Sequence, residues 1–387
     1  MAEEKKLDRR EFVKCSCAAG GGLLMATPMG ALAADAPKEN IKSRGYAAID
    51  TSGKLVPWSF ERRPVGDHDI LIDIKYASIC HSDIHQEKGH WGPQKYPQVP
   101  GHEIVGIVAA VGSKVTKFKV GDRAGVGCMV NSSLENLDHV ENEEQYTPGT
   151  VFTYGYPEKD SPTGISQGGY ATNIVVRDHF AVHIPEHISF QEAVPLLCAG
   201  ITTYSPLMKA RLKKGMKVGV AGIGGLGHMA IKIAISKGAE VYAFTTSASK
   251  VKDILGFGAK EVIVVDDLSK LAPYQGKLDY MISTIPYQYN VAAYVAVVKP
   301  YGTFCQVGMP ERFEVTLNAL GLAASRVNFN ASLIGGMKET QEVVDYCADH
   351  KVLPTIQIIR AEQINEAWES VVNKKARYRY VIDAATF

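Results

Sequence analysis

Two short segments carry residues that can do chemistry: Cys80-His81-Ser82-Asp83-Ile84-His85 and Gly101-His102-Glu103. They place a thiol and an imidazole some twenty residues apart, each beside further ionisable groups. A third thiol, Cys198, precedes an apolar run that ends in Gly222-Ile223-Gly224-Gly225-Leu226-Gly227. Two thiolates and one imidazole suit zinc, and three protein ligands leave a fourth position open for a substrate. Glycines in this pattern, after a strand and opening a helix, let a pyrophosphate approach a helix N-terminus. A zinc site upstream of a dinucleotide fingerprint predicts hydride transfer between an alcohol or aldehyde and a nicotinamide.

Around the expected ligands Cys80, His102 and Cys198, other side chains have matching chemistry. Asp83 can orient a ligand, and Glu103 can support or exchange with one. Ser82 and His85 suit a proton relay, because the hydroxyl must lose its proton before hydride leaves. Trp91 and Cys128 are candidates for an apolar substrate pocket, although a tryptophan packs in a core just as often. The second nucleotide strand leads into Thr245-Thr246-Ser247-Ala248-Ser249-Lys250. An NAD site expects Asp or Glu there. With no carboxylate to repel a 2′-phosphate, Thr245, Thr246, Ser247 and Lys250 predict NADP; the competing reading is that they only cap the next helix.

The elements that must hold these residues follow from periodicity. Ile70–Lys75, Val105–Val111 and Ala124–Val130 are strand-like runs bounded by glycine turns, which predicts a β-rich, barrel-like region. After Pro195, Val218–Ala221, Glu240–Phe244, Glu261–Val265, Leu278–Ile282 and Gly302–Val307 read as strands. Helical spacing over Leu226–Lys237 and Ser249–Gly256 alternates with them. The expectation is therefore α/β, with a doubly wound parallel sheet. Met337–Asp349 reads as a helix, and Arg377–Asp383 returns to strand character beside the first region.

The 387 residues allow two domains, and an apolar fraction of 46% can fill a sizeable core. A net charge of +1 argues against nucleic acid as a partner. No apolar run is long enough to predict a membrane anchor. Seven cysteines do not suggest a disulfide framework in a chain this long. Near the start, Asp8-Arg9-Arg10-Glu11-Phe12-Val13-Lys14 looks like a twin-arginine export signal. An apolar Gly/Ala-rich stretch and Ala31-Leu32-Ala33 follow it, in the order that an export signal requires. This predicts a signal over 1–33, the twin-arginine machinery as partner and a periplasmic location; a cytoplasmic one is the alternative.

The chain resembles the zinc-dependent medium-chain alcohol dehydrogenases, most closely their cinnamyl-alcohol-dehydrogenase branch. The resemblance covers about residues 40–387. Its marks are Cys80-His-Ser-Asp-Ile-His85, Pro100-Gly-His-Glu103, Val120-Gly-Asp122, Gly168-Gly-Tyr170 and Pro195-Leu-Leu-Cys-Ala-Gly200. To these add Gly222-Ile-Gly-Gly-Leu-Gly-His-Met229, Ser332-Leu-Ile-Gly-Gly336 and Arg377-Tyr-Arg-Tyr380. It implies a GroES-like catalytic domain over 40–198 completed by 337–387, a Rossmann coenzyme domain over 199–336, and a homodimer. Aromatic or medium aliphatic aldehydes are the implied substrates. Family members usually carry a second, structural zinc on four cysteines. The matching positions here are Ser133, Asn136, His139 and Thr147, so one catalytic zinc per subunit is expected and the structural one is not. A polyol dehydrogenase and a catalytically silent NADPH-binding protein are the alternative readings.

Overall fold

The computed structural model describes residues 36–134 and 142–387. The twin-arginine segment with Arg9 and Arg10, and the positions Asn136 and His139, lie outside the described residues. Among the described residues no helix is long and apolar enough to cross a membrane.

Two sheets organise the chain. The first has the ten-residue strand Asp69–Ser78 at its centre, antiparallel to Ile104–Val111. Arg123–Val126 and Ala181–His183 extend that side. The other edge of the central strand is shared. Its first half pairs with Asn173–Arg177 and its end with Arg379–Asp383, which carries Ile356–Ile359 beyond it. The second sheet has six strands, every pairing parallel. Across it run Glu261–Val264, Glu240–Thr245, Lys217–Ala221, Leu278–Ser283, Val298–Gln306 and Asn328–Ala331. The order reverses between Lys217–Ala221 and Leu278–Ser283, and a crevice opens at the carboxyl ends of strands at such a point. Val218, Val220 and Ala221 are all fully buried, as expected of a parallel strand covered on both faces.

Most predicted elements form within one or two residues, and Met337–Asp349 is helical as read. The run Ala124–Val130 is not one strand. It splits into Arg123–Val126 and Met129–Asn131. At the break a Cβ on Gly127 would lie 2.8 Å from the Leu197 carbonyl oxygen, so the backbone passes close there and turns Cys128 toward the cleft. Two helices that the periodicity had not indicated matter most. His81–Glu87 follows the central strand, and Ala199–Lys209 follows Cys198. The latter packs on Gly225–Ser236 and Met337–Asp349, inside a core cluster that draws on both sheets.

Candidate active site

Strand register brings the first two expected ligands together. Ala77 pairs with Ile104 in the antiparallel ladder. Cys80 leaves one strand just as His102 enters its neighbour. Cys80 then serves as N-cap of His81–Glu87, and Cys198 as N-cap of Ala199–Lys209. The ligand atoms of Cys80, His102, Glu103 and Cys198 lie within 4.8 Å of one another, all buried. The two sulfurs are 3.9 Å apart. The Cys198 thiol facing Cys80 holds the latter well below the usual thiol range against the cost of burial, and Arg379 and His102 add to the effect.

Asp83 locks this arrangement. It is fully buried. Its Oδ2 accepts from the Cys80 amide at 2.9 Å and from the Tyr170 hydroxyl at 2.8 Å. Its Oδ1 lies 2.8 Å from His102 Nδ1. That contact fixes the tautomer and leaves Nε2 as the nitrogen able to bind a metal. Asp83 does not line the cleft. It holds His102 from behind and does not face the cleft, which narrows the catalytic part expected of it from sequence.

Glu103 is buried too, not a solvated loop acid. Its Oε1 is 2.7 Å from Arg379 Nη2, and its Oε2 accepts from the Ser78 hydroxyl. Burial pushes its carboxyl up to about 7 against the pull of Arg379. Arg379 Nη1 also donates to the Ile79 carbonyl at 2.7 Å. A buried cation spanning the strand end and the carboxylate was not foreseen. The only signal was the Arg377-Tyr-Arg-Tyr380 motif itself.

A cleft of about 700 Å³ opens beside the thiols, lined from both sheets. Ser82, His85, Trp91 and Cys128 all line it, together with Cys80, His102 and Cys198. His85 is 2% exposed. Burial, then His90, pushes its pKa down, so it is neutral near pH 7. Its Nδ1 sits 2.8 Å from His90 Nδ1. Phe152, Tyr154, Tyr156 and Tyr287 add aromatic surface that was not anticipated.

The opposite wall is the glycine turn. Gly222, Gly224, Gly225 and Leu226 line it, as do Thr245, Thr246, Ser247 and Lys250. Gly222 has φ of +82°, which favours glycine. Gly227 does not line the cleft. A Cβ there would be 2.2 Å from the Gly222 carbonyl oxygen, so its part is to let helix Gly225–Ser236 pack against the turn. Lys250 was expected to point at a phosphate, but its Nζ donates to the Ile223 carbonyl at 2.9 Å, bracing the turn. Burial pushes its pKa down to about 8. Lys374 also lines the cleft, and Arg377 Nη2 donates to Ser249 Oγ at 2.9 Å. The basic run around Lys374-Lys375 was the overlooked signal for these two cations.

Two family models match the chain: an alcohol dehydrogenase GroES-like domain over residues 66–186 and a zinc-binding dehydrogenase over residues 225–349. An NADP-dependent alcohol dehydrogenase C 1 of Mycolicibacterium smegmatis is 44% identical over 344 residues, covering 88% of this chain and 97% of that protein. The crystal structure of CAD from Helicobacter pylori complexed with NADP(H) superposes with a TM-score of 0.85 at 40% identity, covering 89% of this chain and 99% of that one. A cinnamyl alcohol dehydrogenase from Sorghum bicolor gives a TM-score of 0.86 at 36% identity, covering 89% and 98%. Likeness at this level runs through both sheets and the cleft between them, so the chain belongs to the zinc-dependent medium-chain alcohol dehydrogenases, in their cinnamyl-alcohol-dehydrogenase-like branch.

Proposed function

We propose that the protein interconverts primary alcohols and aldehydes with NADP(H), on zinc held by Cys80, His102 and Cys198. The observation that carries this is the donor set: two thiols and an imidazole, buried at the floor of a cleft whose far wall is a glycine turn. That set fits zinc, with His102 Nε2 and the two sulfurs as ligands and Glu103 close enough to exchange. When bound, zinc supplies polarisation of the substrate oxygen and NADP(H) supplies or accepts the hydride. The chain does the rest. Asp83 holds His102 in register. Arg379 keeps Glu103 from standing as a lone buried charge. Ser82 takes up or returns the hydroxyl proton, and His85 passes it on.

The absence of a carboxylate after Glu240–Thr245, with Lys374 and Arg377 nearby, favours the 2′-phosphate. The aromatic lining with Trp91 and Cys128 favours aromatic or medium aliphatic aldehydes over polyols. Catalysis by a domain of residues 40–198 plus 337–387, and coenzyme binding by 199–336, is the division of labour we assign. We assign a homodimer as the assembly. A steady-state assay of NADPH and NADH against a panel of aldehydes and sugar alcohols tests the reading. Preference for NADH, or for sugar alcohols, would refute it.

Arg9 and Arg10 and the small residues near Ala33 support export. A folded, loaded enzyme would cross by the twin-arginine route into the periplasm. Replacing both arginines by Lys keeps the charge and is expected to hold the protein inside, as read by cell fractionation.

A further inference from the structure

His85, His90 and Glu311 bring three donor atoms to one point, apart from the Cys80–His102–Cys198 cluster. His85 lies in helix His81–Glu87 and His90 in the turn after it. Glu311 comes from the loop that follows strand Val298–Gln306 of the other sheet. The two Nδ1 atoms are 2.8 Å apart, and His90 Nδ1 is 3.5 Å from Glu311 Oε1. All three donor atoms fall within 4.8 Å of one another. The frame around them is fixed. His85 is buried and stacks on Trp91 at 5.3 Å. Trp91 Nε1 donates to the Pro310 carbonyl at 3.2 Å, which pins the loop one residue before Glu311. The side chains of His90 and Glu311 are 29% and 59% exposed, so an ion has a way in from solvent.

We propose that this trio is a second, inhibitory metal site that takes zinc or a similar imidazole-binding divalent ion. Two imidazoles and one carboxylate are a suitable donor set for such an ion, with water completing the shell. Donors on tetrahedral bonds of about 2.0–2.1 Å stand roughly 3.3 Å apart. The His90–Glu311 spacing already matches that, and the imidazole pair needs to open by only about half an ångström. On binding, the ring that carries the shared Nδ1 proton changes to its Nε2–H tautomer, exchanging that proton through water, so both rings stay neutral and both Nδ1 lone pairs go to the metal. An ion held there fixes the His85 ring and occupies its outward nitrogen, so the residue can no longer pass a proton away from Ser82. This inhibition rests on the relay assigned to His85 above. The binding itself does not.

The test is zinc binding by the holoenzyme, its resident zinc counted beforehand. Equilibrium dialysis against graded zinc chloride, read by elemental analysis, is run beside aldehyde reduction. The expected result is one further zinc per chain, with activity falling along the same saturation curve. Glu311→Gln should keep basal turnover and weaken the added zinc by about tenfold or more, and His90→Asn should remove it. No added zinc up to about 1 mM, or the same half-saturation in the wild type and both variants, would overturn the site. Added zinc with the expected variant dependence but unchanged turnover would overturn the inhibition. A chain that reduces no aldehyde at all would refute the catalytic reading instead, and the zinc count would still decide the site.

Discussion

Thr245 and Thr246 are neighbours with different jobs. Thr245 is buried, and its Oγ1 accepts from the Ser247 amide at 3.1 Å. A carboxylate placed there would be buried without a partner. Thr246 is exposed and lines the same cleft, so it is the cleaner position for testing coenzyme choice. Thr246→Asp should repel a 2′-phosphate and shift the NADPH/NADH ratio of kcat/KM toward NADH by about 1–3 kcal/mol. An unchanged ratio would remove the loop from the recognition surface. Lys250 is already engaged, its Nζ donating to the Ile223 carbonyl at 2.9 Å. Lys250→Met should therefore loosen the turn and raise KM for NADPH and NADH alike, and a rise confined to NADPH would place its charge on the 2′-phosphate instead.

Strand Arg379–Asp383 and helix His81–Glu87 meet at the thiol–imidazole cluster, and each contributes something that the other lacks. The helix supplies Cys80 as its cap and Asp83 as the clamp. The strand supplies the guanidinium that faces Glu103 at 2.7 Å. Arg379→Met leaves a buried carboxyl without its counter-charge, a change that costs about 3–5 kcal/mol in comparable pairs. The melting temperature and the zinc content should both fall, and adding Glu103→Gln should restore part of the stability. A single variant as stable as the wild type would show the pair to be dispensable. This pairing also marks where the sequence stopped being readable. The clustering of Cys80, His102 and Cys198 was legible because zinc restricts its ligands to a few residue types. The parallel sheet was legible because buried strands and amphipathic helices alternate in period. Asp83 could be named as an orienting group because it sits in the same motif. Arg379 could not be paired with Glu103, since nothing local in either segment specifies a contact between distant parts of the chain. Trp91 meeting Pro310, and His90 meeting Glu311, were hidden for the same reason.

Across the molecule, the short turn Glu144–Tyr146 is tied down by a carboxylate. Glu144 is buried; it accepts from the Met337 amide at 2.9 Å, and its Oε1 lies 2.8 Å from His179 Nε2. It thereby joins this stretch to the start of helix Met337–Asp349. Ser133 and Thr147, two of the four positions at which the resemblance leads one to expect structural-zinc cysteines, carry hydroxyls that bind zinc poorly. Protein dialysed free of loose metal should therefore keep one tight zinc per chain by elemental analysis, and a tight second equivalent would contradict this. The docking of Arg379–Asp383 against Ser78 bears on how the molecule comes into being. Arg379 reaches the Ile79 carbonyl from 300 residues further along the chain. On a ribosome, the segment bearing Cys80 and His102 emerges long before the cation that neutralises Glu103 has been made. The carboxylate beside the expected ligands thus gains its counter-charge only after Cys80, His102 and Cys198 have all been made.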